Sequence, residues 1–483
     1  MTGSTKRLTV ALALCAPVLA QGTERGRLIV TREDIDAILW EIEWHLWEGN
    51  LLEAIDERSA LARTNDEFDR ISGLFLEGRL SEATRDLAAL EESLDPLIDR
   101  SIESDSGLRA DVLIDGRWCE TGRVSLGDVE SLDVRVRSLW ARPDLAGQSL
   151  VVAGRWHDLD SCLVFDWDLP VLGEIRLDAG GRVVPTRFEV PVSAERGVTL
   201  VPEVGAESVG GAYVVDMGPA ASLQARVAGL DRDDGAGRAF FSRASLIANA
   251  SSMERSAEFL RGVKAHVTDV DDELSALENG DDPYRLRRGE TWRTFVQVRR
   301  DLAANVYLPS DAPADSIPLV LCLHGAGTDE SYFFGFAGFG HVRELADRHG
   351  CLVVAPFTPD LLAQPKAFDA LLAGIAEDYP IDSSRIFVLG HSLGAIATAQ
   401  LCRDRPERIA GACCVAGFAP VDEEAPPILV VQGERDPSVS AARIRAAIEA
   451  SEGAEVTYVE LEDQGHTLLL PEALDRAFAR WFE

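Results

Sequence analysis

Apolar positions along this chain recur at two different periods, and the changes between them divide it into parts. Residues 31–61, TREDIDAILWEIEWHLWEGNLLEAIDERSAL, place Ile35, Ile38, Leu39, Ile42 and Leu46 at helical spacing. From Leu108 to Asp216 the texture shifts to short runs such as ADVLI, LDVRVRSL, SLVVAG, RFEVPV and AYVVDM, separated by Gly, Asp and Pro turns, which predicts a β-sandwich-like region. Helical spacing returns between Ala220 and about Asn279 and ends at the polar run ENGDDPYRLRRGE, a natural domain boundary. Beyond it, continuous apolar runs (PLVLCLHG, CLVVAPF, RIFVLG, GACCVAG, PILVVQG, EVTYVEL) alternate with helix-like segments such as GHVRELADRHG, KAFDALLAGIAEDYP and AARIRAAIEA. Strands without polar alternation, each followed by a helix, mean a mostly parallel sheet covered on both faces. The expected division is a helical region over 21–107, a β-rich region over 108–219, a helical or linker region over 220–285 and an α/β domain over 286–483.

The first 20 residues stand apart. Lys6 and Arg7 precede an apolar run from Leu8 to Ala20 that is broken by Pro17 and ends in Val-Leu-Ala. This is the pattern of a secretory signal, so the chain is expected to be exported, to the periplasm or the outside. No later run is long and apolar enough to span a bilayer. A formal charge of −34 argues against nucleic acid as a partner. The 8 cysteines show no metal-binding spacing, so neither a metal nor any other cofactor is expected. Cys119 and Cys162 lie in the β-rich part and are candidates for a disulfide, whereas Cys322, Cys351, Cys413 and Cys414 fall in or beside apolar runs and read as small buried hydrophobes.

The N-terminal half carries two weaker signals. EGNLLEAIDERSAL from Glu48 is repeated as EGRLSEATRDLAAL from Glu77. Its Gly-x-Leu-x-Glu-Ala core resembles a tetratricopeptide helix, but two copies are too few for a solenoid, and a small helical bundle is expected. Trp118, Trp156 and Trp167 are either a carbohydrate platform or core residues of the sheets. The whole N-terminal region is therefore a candidate for binding a protein or a carbohydrate.

The chemistry concentrates at the other end. In RIFVLGHSLGAIATAQLC, Ser392 sits between Gly390 and Gly394, after a buried-strand run and before a helix of small residues. Glycine on both sides of a serine is either an ordinary turn or a nucleophile elbow, in which a tight strand-to-helix bend exposes the hydroxyl. A serine hydroxyl needs a base to take its proton and an acid to orient that base. His466, in LEDQGHTLLL, is the one histidine that follows Ser392 at a distance. PILVVQGERDPSVS offers Asp436 as the acid, with Glu434 and Asp463 as rivals. LCLHGAGTDES supplies a loop rich in free N–H groups, where Ala326, or else Gly327, would join the Leu393 N–H in holding an oxyanion. His324 is expected to brace that loop, and His391 either lines the site or acts as a spacer.

Together LVLCLHGAGTDESYFF, GHSLGA, VVQGERDPSV and DQGH resemble the α/β-hydrolase superfamily, in its serine esterase branch of dienelactone hydrolases, carboxylesterases and polyhydroxybutyrate depolymerases. The resemblance covers the last ~190 residues and implies Ser392 as nucleophile, Asp436 as acid and His466 as base, in that chain order. It implies cleavage of a small or polymeric carboxylic ester through an acyl-enzyme. Ser392 stands where dienelactone hydrolases carry cysteine, so that particular activity is not implied. The related prolyl-oligopeptidase family commonly sets a β domain before the same core, which keeps a serine peptidase as the alternative. A binding protein built on a vestigial hydrolase module is the other. With only residues 418–427 between two strands where caps are commonly inserted, an open site is expected, with the aromatic loop Tyr332–Phe339 either lining it or packing beneath.

Overall fold

The computed structural model describes residues 58–94, 108–114, 117–120, 131–158, 164–166, 171–184, 186–191, 196–204, 207–208, 212–214, 230, 235–248, 272–295, 301–335, 337–338, 340–363 and 366–483. The expected signal segment, the first copy of the helical repeat, Trp167 and the Cys119–Cys162 pairing lie outside what it describes.

Two helices, α1 (Arg58–Leu76) and α2 (Leu80–Leu94), form a hairpin around the turn at Glu77–Arg79. Phe68, Ile71 and Leu74 on α1 meet Ala83, Leu87 and Leu90 on α2, three or four residues apart on each, so one stripe per helix is buried. Leu139, Trp140 and Leu468 complete this cluster. The hairpin is thus held between the β-rich region and the C-terminal domain. Among the described residues, ten N-terminal strands pair in two wholly antiparallel sheets, one of four strands that includes Ser131–Ser138 and one of six centred on Ser149–Asp158.

The C-terminal domain is one sheet of eight strands. In chain order they are β1 (Gly289–Phe295), β2 (Leu302–Leu308), β3 (Ile317–Leu323), β4 (Leu352–Pro356), β5 (Ile381–His391), β6 (Gly411–Val415), β7 (Ile428–Gly433) and β8 (Val456–Leu461). Their order across the sheet is β1-β2-β4-β3-β5-β6-β7-β8. The first two pairings are antiparallel and all the others are parallel. Every residue of β3, β4, β6 and β7 is buried, as strands covered on both faces require.

Alternate side chains supply two separate cores. Leu319, Leu321 and Leu323 pack with α5 (Ala367–Asp378), α6 (Leu393–Asp404) and α7 (Ala441–Glu449). Val320 and Cys322 pack on the other face with α4 (His341–His349) and α8 (Leu470–Phe482). Cys322, Cys351, Cys402, Cys413 and Cys414 are buried free thiols inside these layers, and burial pushes the Cys351 thiol up to about 12. They act as packing groups. The aromatic loop packs as well, since Tyr332, Phe333 and Phe334 belong to the second core.

Candidate active site

The backbone at residue 392 is the first feature of the site. Ser392 lies between the last residue of β5 and the first of α6 with φ 53° and ψ −113°, a conformation that side chains rarely adopt. Its N–H donates to the Val415 carbonyl at 2.8 Å, and its own carbonyl accepts from Ala395 and Ile396, so the strained residue is held from both sides. The flanking glycines are steric requirements. A Cβ on Gly390 would lie 2.1 Å from the Gly394 carbonyl oxygen, and one on Gly394 would lie 1.9 Å from that of Leu323. This is the strained strand-to-helix elbow that lifts a hydroxyl clear of the sheet.

Three loops at the carboxyl ends of the strands converge there. His466, on the turn between β8 and α8, brings its Nε2 to 3.0 Å from the Ser392 Oγ. Its Nδ1 lies 2.8 Å from Oδ2 of Asp436, on the loop after β7. A carboxylate at Nδ1 places the ring proton there and leaves the Nε2 lone pair facing the serine. Asp436 is itself fully engaged. Its Oδ1 accepts from the N–H groups of Ser438 and Val439, and its Oδ2 from the Gln432 amide. Burial alone would raise this carboxyl; the His466 ring and these donors outweigh burial and hold it below the ordinary aspartate value. Glu434 accepts from the Asp463 N–H, and Asp463 sits in a left-handed turn at φ 61°. Both rivals for the acid therefore serve the turn and not the imidazole.

The loop after β3 crosses the serine, and a Cβ on Gly325 would lie 3.2 Å from the Ser392 Cβ. His324 braces this loop. Its Nε2 accepts from the Thr358 N–H at 2.9 Å, so Nδ1 carries the proton and donates to the Gly325 carbonyl at 2.9 Å. Thr328 donates to the same carbonyl. A trans peptide points its two polar groups in opposite directions. Fixing the Gly325 carbonyl into the loop therefore turns the Ala326 N–H outward. Leu393, as the first residue of α6, has an N–H with no intrahelical acceptor.

His391 does not line an open pocket. It is buried, stacks on Tyr332 at 5.7 Å between ring centroids, and directs Nε2 at the His466 carbonyl, 2.8 Å away. Burial, followed by the neighbouring His466 charge, pushes its pKa down to about 3, so it is a neutral ring whose Nε2–H donates to that carbonyl.

Helix α1 packs against the loops that carry the site. Asn65 Oδ1 accepts from the Gly465 N–H at 2.9 Å, and Asp69 Oδ2 accepts from the His466 N–H at 2.8 Å. Asp66 pairs with Arg435, next to the acid, and Phe75 lies 3.0 Å from where a Cβ on Gly327 would be. One helix from the N-terminal part of the chain thus touches the turn that carries His466, the loop that carries Asp436 and the loop over Ser392. Reading the sequence did not single out Asn65, Asp66 or Asp69, which the structure brings to these loops. Their i, i+4 polar spacing looks like an ordinary solvated helix face, and no local signal separates the two.

Asp69 carries a cost. Burial, with Asp436 and Asp66 nearby, lifts its carboxyl to about 6 against the pull of the His466 N–H and ring. A raised folded pKa favours the protonated form, so the native state loses stability as pH rises from about 4 through 6. Asp69→Asn is therefore expected to match the parent at pH 4 and to exceed it above pH 6, by at most about 3 kcal/mol for a shift from 3.8 to about 6. Urea unfolding at pH 4 and pH 7.5 measures this; equal midpoint differences at the two pH values contradict it.

Residues 320–427 match the alpha/beta hydrolase family. No curated protein matches the chain. Among solved structures, the chain is similar to an S-formylglutathione hydrolase from Staphylococcus aureus at 14% identity, covering 41% of this chain and 99% of that one with a TM-score of 0.35. It is also similar to the Est2 esterase of the Planctomycetes species Thermogutta terrifontis at 18% identity, covering 40% and 93% with a TM-score of 0.34. The mostly parallel eight-stranded sheet, with the serine elbow after β5, has the α/β-hydrolase fold.

Proposed function

We propose that this protein is a serine hydrolase that cleaves carboxylic esters through an acyl-enzyme on Ser392. The observation that carries the reading is the unbroken line of hydrogen bonds from Asp436 through His466 to Ser392, at 2.8 and 3.0 Å. Nucleophile, base and orienting acid are within reach of one another without any rearrangement.

In the proposed reaction, Ser392 Oγ attacks the ester carbonyl while His466 Nε2 takes its proton. The charge that develops on the carbonyl oxygen is received by the N–H groups of Leu393 and Ala326, for which the loss of one donor typically costs about 10²–10³ in turnover. His466 then protonates the departing alcohol, which leaves an acyl group on Ser392. A water molecule, deprotonated by the same nitrogen, attacks that acyl group, and the acid departs as Ser392 regains its proton. Asp436 stays ionised throughout and stabilises the imidazolium formed in each half.

The test is labelling with a fluorophosphonate, followed by a panel of p-nitrophenyl esters and peptidyl amides. One adduct on Ser392 and turnover of short esters are expected. Peptidyl amides cleaved as efficiently as esters would reassign the protein as a peptidase. Absence of both labelling and turnover would leave a binding protein.

A further inference from the structure

Asn65 and Asp69 of α1, we infer, are positioning residues for the base: the N-terminal hairpin forms part of the active-site machinery, holding the turn that presents His466 to Ser392. The inference rests on the proposed role of that triad and extends it to a segment roughly 400 positions away in the chain.

The turn is gripped at Asp463, Gly465 and His466. The Asn65 amide donates to the Asp463 carbonyl at 3.3 Å while its oxygen accepts from Gly465, and Asp69 accepts from His466. Gly465 is required for this approach, because a Cβ there would lie 2.2 Å from the Asp69 Oδ2 and 3.0 Å from the Asn65 Oδ1. Below the turn, the His391 ring is directed at the His466 carbonyl. The backbone of residue 466 is thereby held at its N–H by α1 and at its C=O by the residue that precedes the nucleophile. Leu468 then anchors the outgoing chain among Phe68, Ile71 and Leu74.

Mere docking of a helix does not call for this chemistry. Asn65 and Asp69 are buried, and the bond to the His466 N–H is the one side-chain hydrogen bond that Asp69 makes among the described residues. A buried carboxylate is an expensive way to attach a helix that Phe68 and Leu74 already attach by apolar contact. Groups that are costly to the fold yet aimed at a reacting residue are characteristic of active sites. The base's bonds to Ser392 and Asp436 fix where its ring must lie, and the clamp fixes the backbone that carries the ring. Ångström-scale misplacement of a reacting group can cost about 10²-fold in rate.

The experiment compares Asp69→Leu with Asp69→Asn in the full chain. Both remove the charge, but only asparagine keeps an oxygen that can accept from the His466 N–H. Steady-state hydrolysis of p-nitrophenyl acetate and the rate of fluorophosphonate labelling are the readouts. Asp69→Leu is expected to lose about 10–100-fold in kcat with KM changed less than about twofold, and to be labelled correspondingly more slowly. Asp69→Asn is expected to keep kcat within about threefold of the parent. Should Asp69→Leu fail to fold, Asn65→Ala takes its place, with a loss of about tenfold expected because two of the three contacts go while the one to the His466 N–H stays. A folded Asp69→Leu, or in its place a folded Asn65→Ala, with kcat equal to that of Asp69→Asn overturns the inference; so does a loss confined to KM. Failure of the triad itself would look different, since the parent protein would then neither hydrolyse the ester nor take up the label.

Discussion

Replacing Ser392 by alanine is expected to lower turnover of p-nitrophenyl esters by about 10⁴–10⁶ and to abolish fluorophosphonate labelling, with the fold intact. The size of the loss follows from the chemistry, because no other hydroxyl can take over. The Ser392 Oγ is the group hydrogen-bonded to His466 Nε2, and Gly325, which crosses close over Ser392 on the facing loop, has no side chain. What would remain is catalysis by the oxyanion donors and by binding alone. The fold tolerates the change, since the hydroxyl is half-buried, belongs to neither core, and alanine accepts the same backbone with comparable strain. Ester hydrolysis within about tenfold of the parent in a folded Ser392→Ala protein would sink the assignment.

Asp436→Asn is expected to cost about 10⁴ in kcat, the order found when the acid of such a triad is replaced by its amide. The reason lies in what surrounds the side chain. Two backbone N–H groups, from Ser438 and Val439, point at Oδ1 and require an oxygen there. The asparagine amide nitrogen is therefore forced into the Oδ2 position, where it meets His466 Nδ1 and the Gln432 amide, both donors to the native carboxylate. The imidazole relieves the conflict by moving its proton to Nε2, and Nε2–H then faces Ser392 with no lone pair to receive the serine proton. The substitution leaves side-chain volume nearly unchanged, so a folded protein with little activity is the expected product. kcat/KM for an ester, measured beside a circular-dichroism spectrum, decides the matter. A loss of less than about tenfold would move the orienting role to another carboxylate.

Much of this site was legible along the chain, for reasons particular to each residue. The inner strands β3, β4, β6 and β7 are buried on both faces, so they appear as unbroken apolar runs, and the stop of RIFVLG at Gly390 marks where β5 must bend. The steric need for glycine at 390 and 394 is local, and so is its signature. His466 stood out because few histidines exist and one alone follows at a distance. The acid was less legible. Asp436, Glu434 and Asp463 are all carboxylates near strand ends, and what separates them is which oxygen reaches the Nδ1 of His466, a distance that no spacing encodes.

The hairpin was the least legible part. Helical periodicity located α1 within a helical region, but its polar positions carried no mark of purpose. Asn65 and Asp69 obtain their meaning from Gly465 and His466, and contacts between residues so far apart leave no periodicity in either segment.

Taken alone, then, the order of residues determined the elements, the layering and the nucleophile's bend, because those follow from steric and solvation demands within a few neighbouring positions. Only the tertiary structure decided which carboxylate faces the imidazole and which distant helix steadies it, because hydrogen bonds act over about 3 Å in space and are indifferent to distance along the chain.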